Sequence, residues 1–148
     1  MKHEELEAKV PDEKRKELVA AARDAARESY APYSRFRVGA ALLCADGTVV
    51  PGVNVENRSY GLGICAERSA IVSAVTSGHR EFPVIVVYSP DADYPVSPCG
   101  ACRQVISEFM SPDDVVIFVA GNGQEEAHTV SEILPFDALH ELKDRPID

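Results

Sequence analysis

The chain lacks any apolar run near the roughly 20 residues that a membrane-spanning helix needs, which excludes a helical membrane protein and leaves a soluble globular chain as the expectation. Basic residues are also in short supply: 15 Lys and Arg stand against 24 Asp and Glu, for a formal net charge of −9. Nucleic-acid binding relies on a basic face that releases phosphate counterions, so a polynucleotide partner is disfavoured. No internal repeat or low-complexity linker divides the 148 residues, and a chain of this length buries roughly 70% of its unfolded surface around one core. One domain over residues 1–148 is expected, with polar extensions at about 1–11 and about 137–148. The opening MKHEELEAKV has the character of neither a signal nor a transit peptide, so a cytoplasmic location is expected. Cysteine is scarce as well, with only Cys44, Cys65, Cys99 and Cys102. In a reducing compartment, metal binding or redox chemistry explains such thiols better than structural disulfides.

What is present alternates between two periods. DEKRKELVAAARDAARESY predicts a helix, with Leu18, Ala22, Ala25 and Ala26 on one stripe and acidic residues in its first turn. RVGAALLCADGTVVPGVNV, two apolar runs about an Asp-Gly turn, predicts a hairpin. CAERSAIVSAVTSG predicts a helix stopped by Gly78, and GACRQVISEFM a further one. PVIVVYS and DVVIFVA are short β-branched runs suited to strands buried on both faces. This alternation argues for a layered α/β domain with a mixed sheet.

Cys99 and Cys102 lie three residues apart at a helix start, where positions three apart share a face and unpaired amides favour thiolate. That pair alone fits a metal ligand set or a disulfide oxidoreductase equally well. Cys65 also begins a helix and is followed by Glu67. Residues two apart diverge by roughly 200° on a continuous helix, so the two converge only if Cys65 sits at the unwound end, beside the loop glycines Gly61 and Gly63. Two facing helix starts would gather Cys65, Cys99 and Cys102 and leave one corner of a tetrahedral Zn2+ open, the pattern of a catalytic site. His3, His79, His128 and His140 are scattered, and none is expected as a ligand; Cys44, in an apolar run, is expected to be a buried small hydrophobe.

NVENRSYGLGICAERSAI and SPCGACRQVI resemble the cytidine deaminases, specifically the small homotetrameric type, and the similarity extends from YAPYSRFRVGAAL to SEILP. The resemblance implies a three-layer α/β/α sandwich on a mixed sheet of about five strands. It implies one zinc per subunit on Cys65, Cys99 and Cys102, Glu67 as proton shuttle, and hydrolysis of cytidine and deoxycytidine to the uridines in pyrimidine salvage. Arg68 would offset the thiolate charge. Asn54 and Glu56, on one face by strand periodicity with Val53 and Val55 on the core face, would bind the ribose 3′-hydroxyl. Phe36 would stack near the pyrimidine, and backbone at Ala66, Ser97 and Pro98 would orient the amine. Tyr60 would be lent to a neighbouring subunit's site in the homotetramer.

One departure stands out. After SEILP the family spaces a Phe several residues on, whereas here Phe136 comes too early, so the C-terminal edge of the pocket is expected to differ. Three rivals remain. A CxxC thiol oxidoreductase leaves Cys65-Ala66-Glu67 unexplained; a zinc-stabilised interaction module has no use for Glu67; and a deaminase of a related nucleoside such as blasticidin S fits less well with the intact NVEN and SYG.

Overall fold

The computed structural model describes residues 1–143; the last five residues of the expected C-terminal extension lie outside the described residues. The two β-branched runs form strands β3 (Val84–Ser89) and β4 (Val115–Ala120), buried at every position. Their alternate residues feed two separate cores. Ile85, Val87, Val116 and Phe118 face one side with Ala40 and Leu42, while Val84, Val86, Val115, Ile117 and Val119 face the other with Ala41. A sheet that is apolar on both faces has to be covered on both.

Helix α2 (Asp12–Ala26) covers the second face with Leu18, Ala22 and Ala26. Helices α3 (Ala66–Thr76) and α4 (Gly100–Phe109) cover the first through Ala70, Ile71, Ala74 and Ile106. With the hairpin strands β1 (Gly39–Leu43) and β2 (Val49–Val53) and the strand β5 (Glu125–Thr129), the sheet order is β2-β1-β3-β4-β5. Only β3 and β4 run parallel; the other neighbours are antiparallel. The result is the expected three-layer α/β/α sandwich on a mixed sheet.

Two elements were not evident in the residue pattern. The opening segment, polar as it reads, forms helix α1 (His3–Lys9), and Leu6 and Val10, one helical turn apart, are buried in the α2-side core. Strand β5 is largely polar because it lies at the sheet edge, where one face meets water. It leads into the single turn α5 (Val130–Ile133), started by a reciprocal capping box between Thr129 and Glu132.

One close approach fixes where α3 lies on the sheet. A Cβ on Gly52 of β2 would lie 2.4 Å from the carbonyl oxygen of Ala66 and 2.4 Å from the amide of Ala70. Only glycine lets the first turns of α3 press this closely on the strand.

Candidate metal centre and active site

The N-terminus of α3 and the N-terminus of α4 meet beyond the end of β3. Cys65 is the N-cap of α3, with extended backbone at φ −77° and ψ 157°, and Cys99 is the N-cap of α4 at φ −65° and ψ 166°. The unwound start required for Cys65 and Glu67 to address one point is therefore present. Cys102, in the first turn of α4, is buried. The three sulfurs all lie within 4.8 Å of one another, with Cys65 and Cys99 Sγ 3.9 Å apart. Tetrahedral zinc with bonds of about 2.3 Å needs sulfurs roughly 3.8 Å apart, and an all-thiol donor set suits zinc, so the residues fit the ion. Among the described residues no fourth ligating side chain joins this group.

The electrostatics of the cluster are uneven. A hydrogen bond from the Cys102 thiol, against the opposing effect of burial and aided by Arg68 and Cys99, lowers the pKa of Cys65 to about 5. Cys102 keeps its proton in return, its pKa raised by that same bond and by burial. Arg68 Nη2 donates to Cys65 Sγ at 3.4 Å, and its Nε is buried without a partner. The bond to Cys65 holds the guanidinium charged. Glu67 is 4% exposed, and burial, reinforced by the Cys65 charge, raises its pKa.

These groups open onto a cavity of about 510 Å³, within the range of small-molecule sites. Phe36, Asn54, Glu56, Tyr60, Ala66 and Ser97 line it beside Cys65, Glu67, Arg68 and Cys99. Pro98 does not: it is buried, and its carbonyl accepts from Arg103 Nε at 2.7 Å. Asn54 is largely engaged by the scaffold, donating to Phe36 O at 2.8 Å and accepting from Val38 N at 2.9 Å and from Ser29 Oγ. Glu56 accepts from the amides of Tyr33 and Ser34 at 3.0 and 3.1 Å and from Ser34 Oγ, and the Ser34 bonds lower its pKa. Tyr60, in a short 3-10 turn, is 80% exposed, with its ring 5.9 Å from that of Tyr33.

One expectation, about strand β2, needs correction. Val55 is not a core residue: β2 stops at Val53, so strict alternation ends there, and Val55 is 41% exposed on the cavity wall. Phe136 stands outside this cavity, 93% exposed beside a separate hollow near α5. His128 stacks on Phe118, and neither it nor His3, His79 or His140 joins the three thiols; Cys44 is buried in the core, as expected. One contributor was missed altogether. Arg103 ties the loop ahead of Cys99 to α5, donating to Pro98 O, to Ile133 O at 2.8 Å and to Ser97 Oγ at 2.8 Å. Its only signal was an Arg directly after Cys102.

Residues 12–119 match the family described as the cytidine and deoxycytidylate deaminase zinc-binding region. A cytidine deaminase of Sporosarcina psychrophila is 47% identical over 80% of this chain and 86% of its own length. The crystal structure of a cytidine deaminase from Burkholderia pseudomallei superposes with a TM-score of 0.80 at 44% identity, covering 82% of this chain and 97% of that one. A blasticidin-S deaminase of Bacillus cereus is 36% identical over 69% of this chain and 76% of its own length. With three thiols matched to zinc beside a buried carboxylate, this chain belongs to the cytidine and deoxycytidylate deaminase family.

Proposed function

We propose that the protein hydrolyses cytidine and deoxycytidine to uridine and deoxyuridine with release of ammonia, in the salvage of pyrimidines. The supporting observation is that Cys65, Cys99 and Cys102 cluster beside buried Glu67, and that Cys65, Cys99 and Glu67 line one cavity whose other walls include Phe36, Asn54 and Glu56. Cys65, Cys99 and Cys102 would hold zinc, which would supply the Lewis acidity that lets a water lose a proton near neutral pH. Glu67 accepts the proton of the water that adds at C4 of the pyrimidine. It delivers that proton to N3, then carries the proton of the new C4 hydroxyl to the exocyclic amine, which leaves as ammonia as the C4–N bond breaks and the C4 carbonyl forms. The raised pKa of Glu67 suits a group that must both take and return a proton.

Around this centre, Arg68 offsets the single negative charge that three thiolates leave on a divalent ion. Phe36 offers its face to the base. Glu56, anionic and held by three donors, accepts from the ribose 3′-hydroxyl, and the amide hydrogen of Asn54 not used by Phe36 assists it. Backbone at Ala66 and Ser97 orients the amine; the Pro98 carbonyl shares its lone pairs with Arg103. Tyr60, 80% exposed on the cavity wall, and Leu62, 72% exposed in the same short turn, suit coverage by another subunit, in keeping with a homotetramer. Among the described residues no helix is long and apolar enough to cross a membrane, and we place the enzyme in the cytoplasm.

The test is to add cytidine to protein of known zinc content and measure ammonia and uridine together. Equimolar products that vanish on chelation and return with zinc are expected. Turnover by metal-free protein would refute the proposal. Thiol titration separates the oxidoreductase alternative, because zinc-held thiolates react only after chelation.

A further inference from the structure

The far end of α3 carries a second cluster of ligating side chains. Cys44 follows β1, Asp46 occupies the turn into β2, and His79 lies just past α3; one ligand atom from each falls within 4.8 Å of the other two. His79 Nδ1 and Asp46 Oδ2 are 3.8 Å apart. Local structure holds both turns in place. Helix α3 ends in a Schellman motif: Gly78, left-handed at φ 95°, donates to Val75 O and His79 donates to Ala74 O. The hairpin turn is closed by Cys44 N to Thr48 O at 2.8 Å and by Thr48 N to Asp46 Oδ1 at 2.9 Å, which leaves Asp46 Oδ2 toward the histidine. Ala45 N to Glu81 O, at 3.0 Å, ties one turn to the other.

The surroundings favour a cation. His79 sits at the C-terminal, partly negative end of α3. Arg80, its neighbour, is occupied on the carbonyls of Val75 and His79. We propose that Cys44, Asp46 and His79 form a second site for a divalent ion of borderline softness, such as zinc, with solvent completing the coordination. Thiolate, imidazole and carboxylate together are a zinc-type donor set. Exposed Asp46 can turn to close the remaining distance. Burial raises the pKa of Cys44, so binding breaks its S–H bond, forms the metal–sulfur bond and passes the proton to solvent. The site lies one helix length, roughly 15–20 Å, from Cys65, and its role is to clamp the end of α3 to the hairpin.

The test uses protein already holding one equivalent of zinc and titrates it with Cd2+, following the ultraviolet thiolate–cadmium band and counting both metals after desalting. One added equivalent of cadmium with the band, zinc retained at one and a raised Tm is the expected result. His79→Ala, which removes a partly exposed ligand without cutting the core, should weaken cadmium binding by about tenfold or more. Cys44→Ala should abolish the band, and deamination by both variants should match the parent. No cadmium uptake by zinc-filled protein overturns the proposal. So does cadmium that merely replaces zinc, or uptake that His79→Ala leaves unchanged. None of the metal-binding outcomes depends on whether cytidine is the substrate.

Discussion

The two ends of α3 hold cysteines in opposite electrical settings. At the N-terminal end, Cys65 accepts a hydrogen bond from the Cys102 thiol and lies beside Arg68 and Cys99, and its pKa falls to about 5. Near the C-terminal end, Cys44 is buried among apolar side chains with Asp46 close by, and its pKa rises. Cys65 is thus a thiolate at neutral pH before any ion arrives, whereas Cys44 holds its proton until an ion displaces it. The difference lies in the hydrogen-bond donors that the fold brings to Cys65 and in the burial, beside a carboxylate, that it imposes on Cys44.

Removal of the metal should break the comparison most severely. Chelation is expected to take deamination to background while the fold persists, since a chain of this size forms its core without a staple. Circular dichroism and ammonia release, measured on the same sample, check both halves. Next in size, Glu67→Gln keeps shape but cannot shuttle a proton, and should lower kcat by about 10²- to 10⁴-fold with zinc content unchanged. A variant within tenfold of the parent, still holding zinc, would show that Glu67 does not carry the proton.

Gly52→Ala tests how tightly the N-terminal end is placed. The added Cβ would meet backbone of Ala66 and Ala70 at 2.4 Å, and backbone cannot swing aside as a side chain can. A loss of about 1–3 kcal/mol is expected from such overpacking, together with a fall in turnover, because α3 shifts carrying Cys65 and Glu67. Denaturant midpoints and kcat measured on one preparation should drop together.

How much of the fold and site was legible depended on whether a residue's partners lay in a regular element. Strands β1 to β4 showed themselves through apolar runs, and the three thiols through their spacing from helix starts. Strand β5 did not, because at the sheet edge Glu125 and Glu126 meet water and no alternation is imposed. Val55 was misplaced because its strand ends two residues earlier. Arg103 was invisible for another reason: an Arg on a helix has many uses, and only the folded loop shows its three acceptors. The grouping of Cys44, Asp46 and His79 depends on two turns meeting, and periodicity carries no trace of that.

The smallest effect should come from Gly78→Ala, and it sharpens the contrast between the ends. A Cβ at Gly78 meets nothing within 4 Å, so the cost is confined to holding alanine at φ 95°, about 1–2 kcal/mol. For a chain of this length about 1 kcal/mol lowers Tm by about 4 °C. Gly52→Ala, by contrast, suffers contact rather than backbone strain, and at the end of the helix where chemistry occurs. If the two ends are independent, Gly78→Ala should lower Tm while leaving kcat and KM for cytidine unchanged. A matching loss of turnover would mean that strain at the Schellman turn travels along α3 to Cys65, and the ends would have to be treated as one unit.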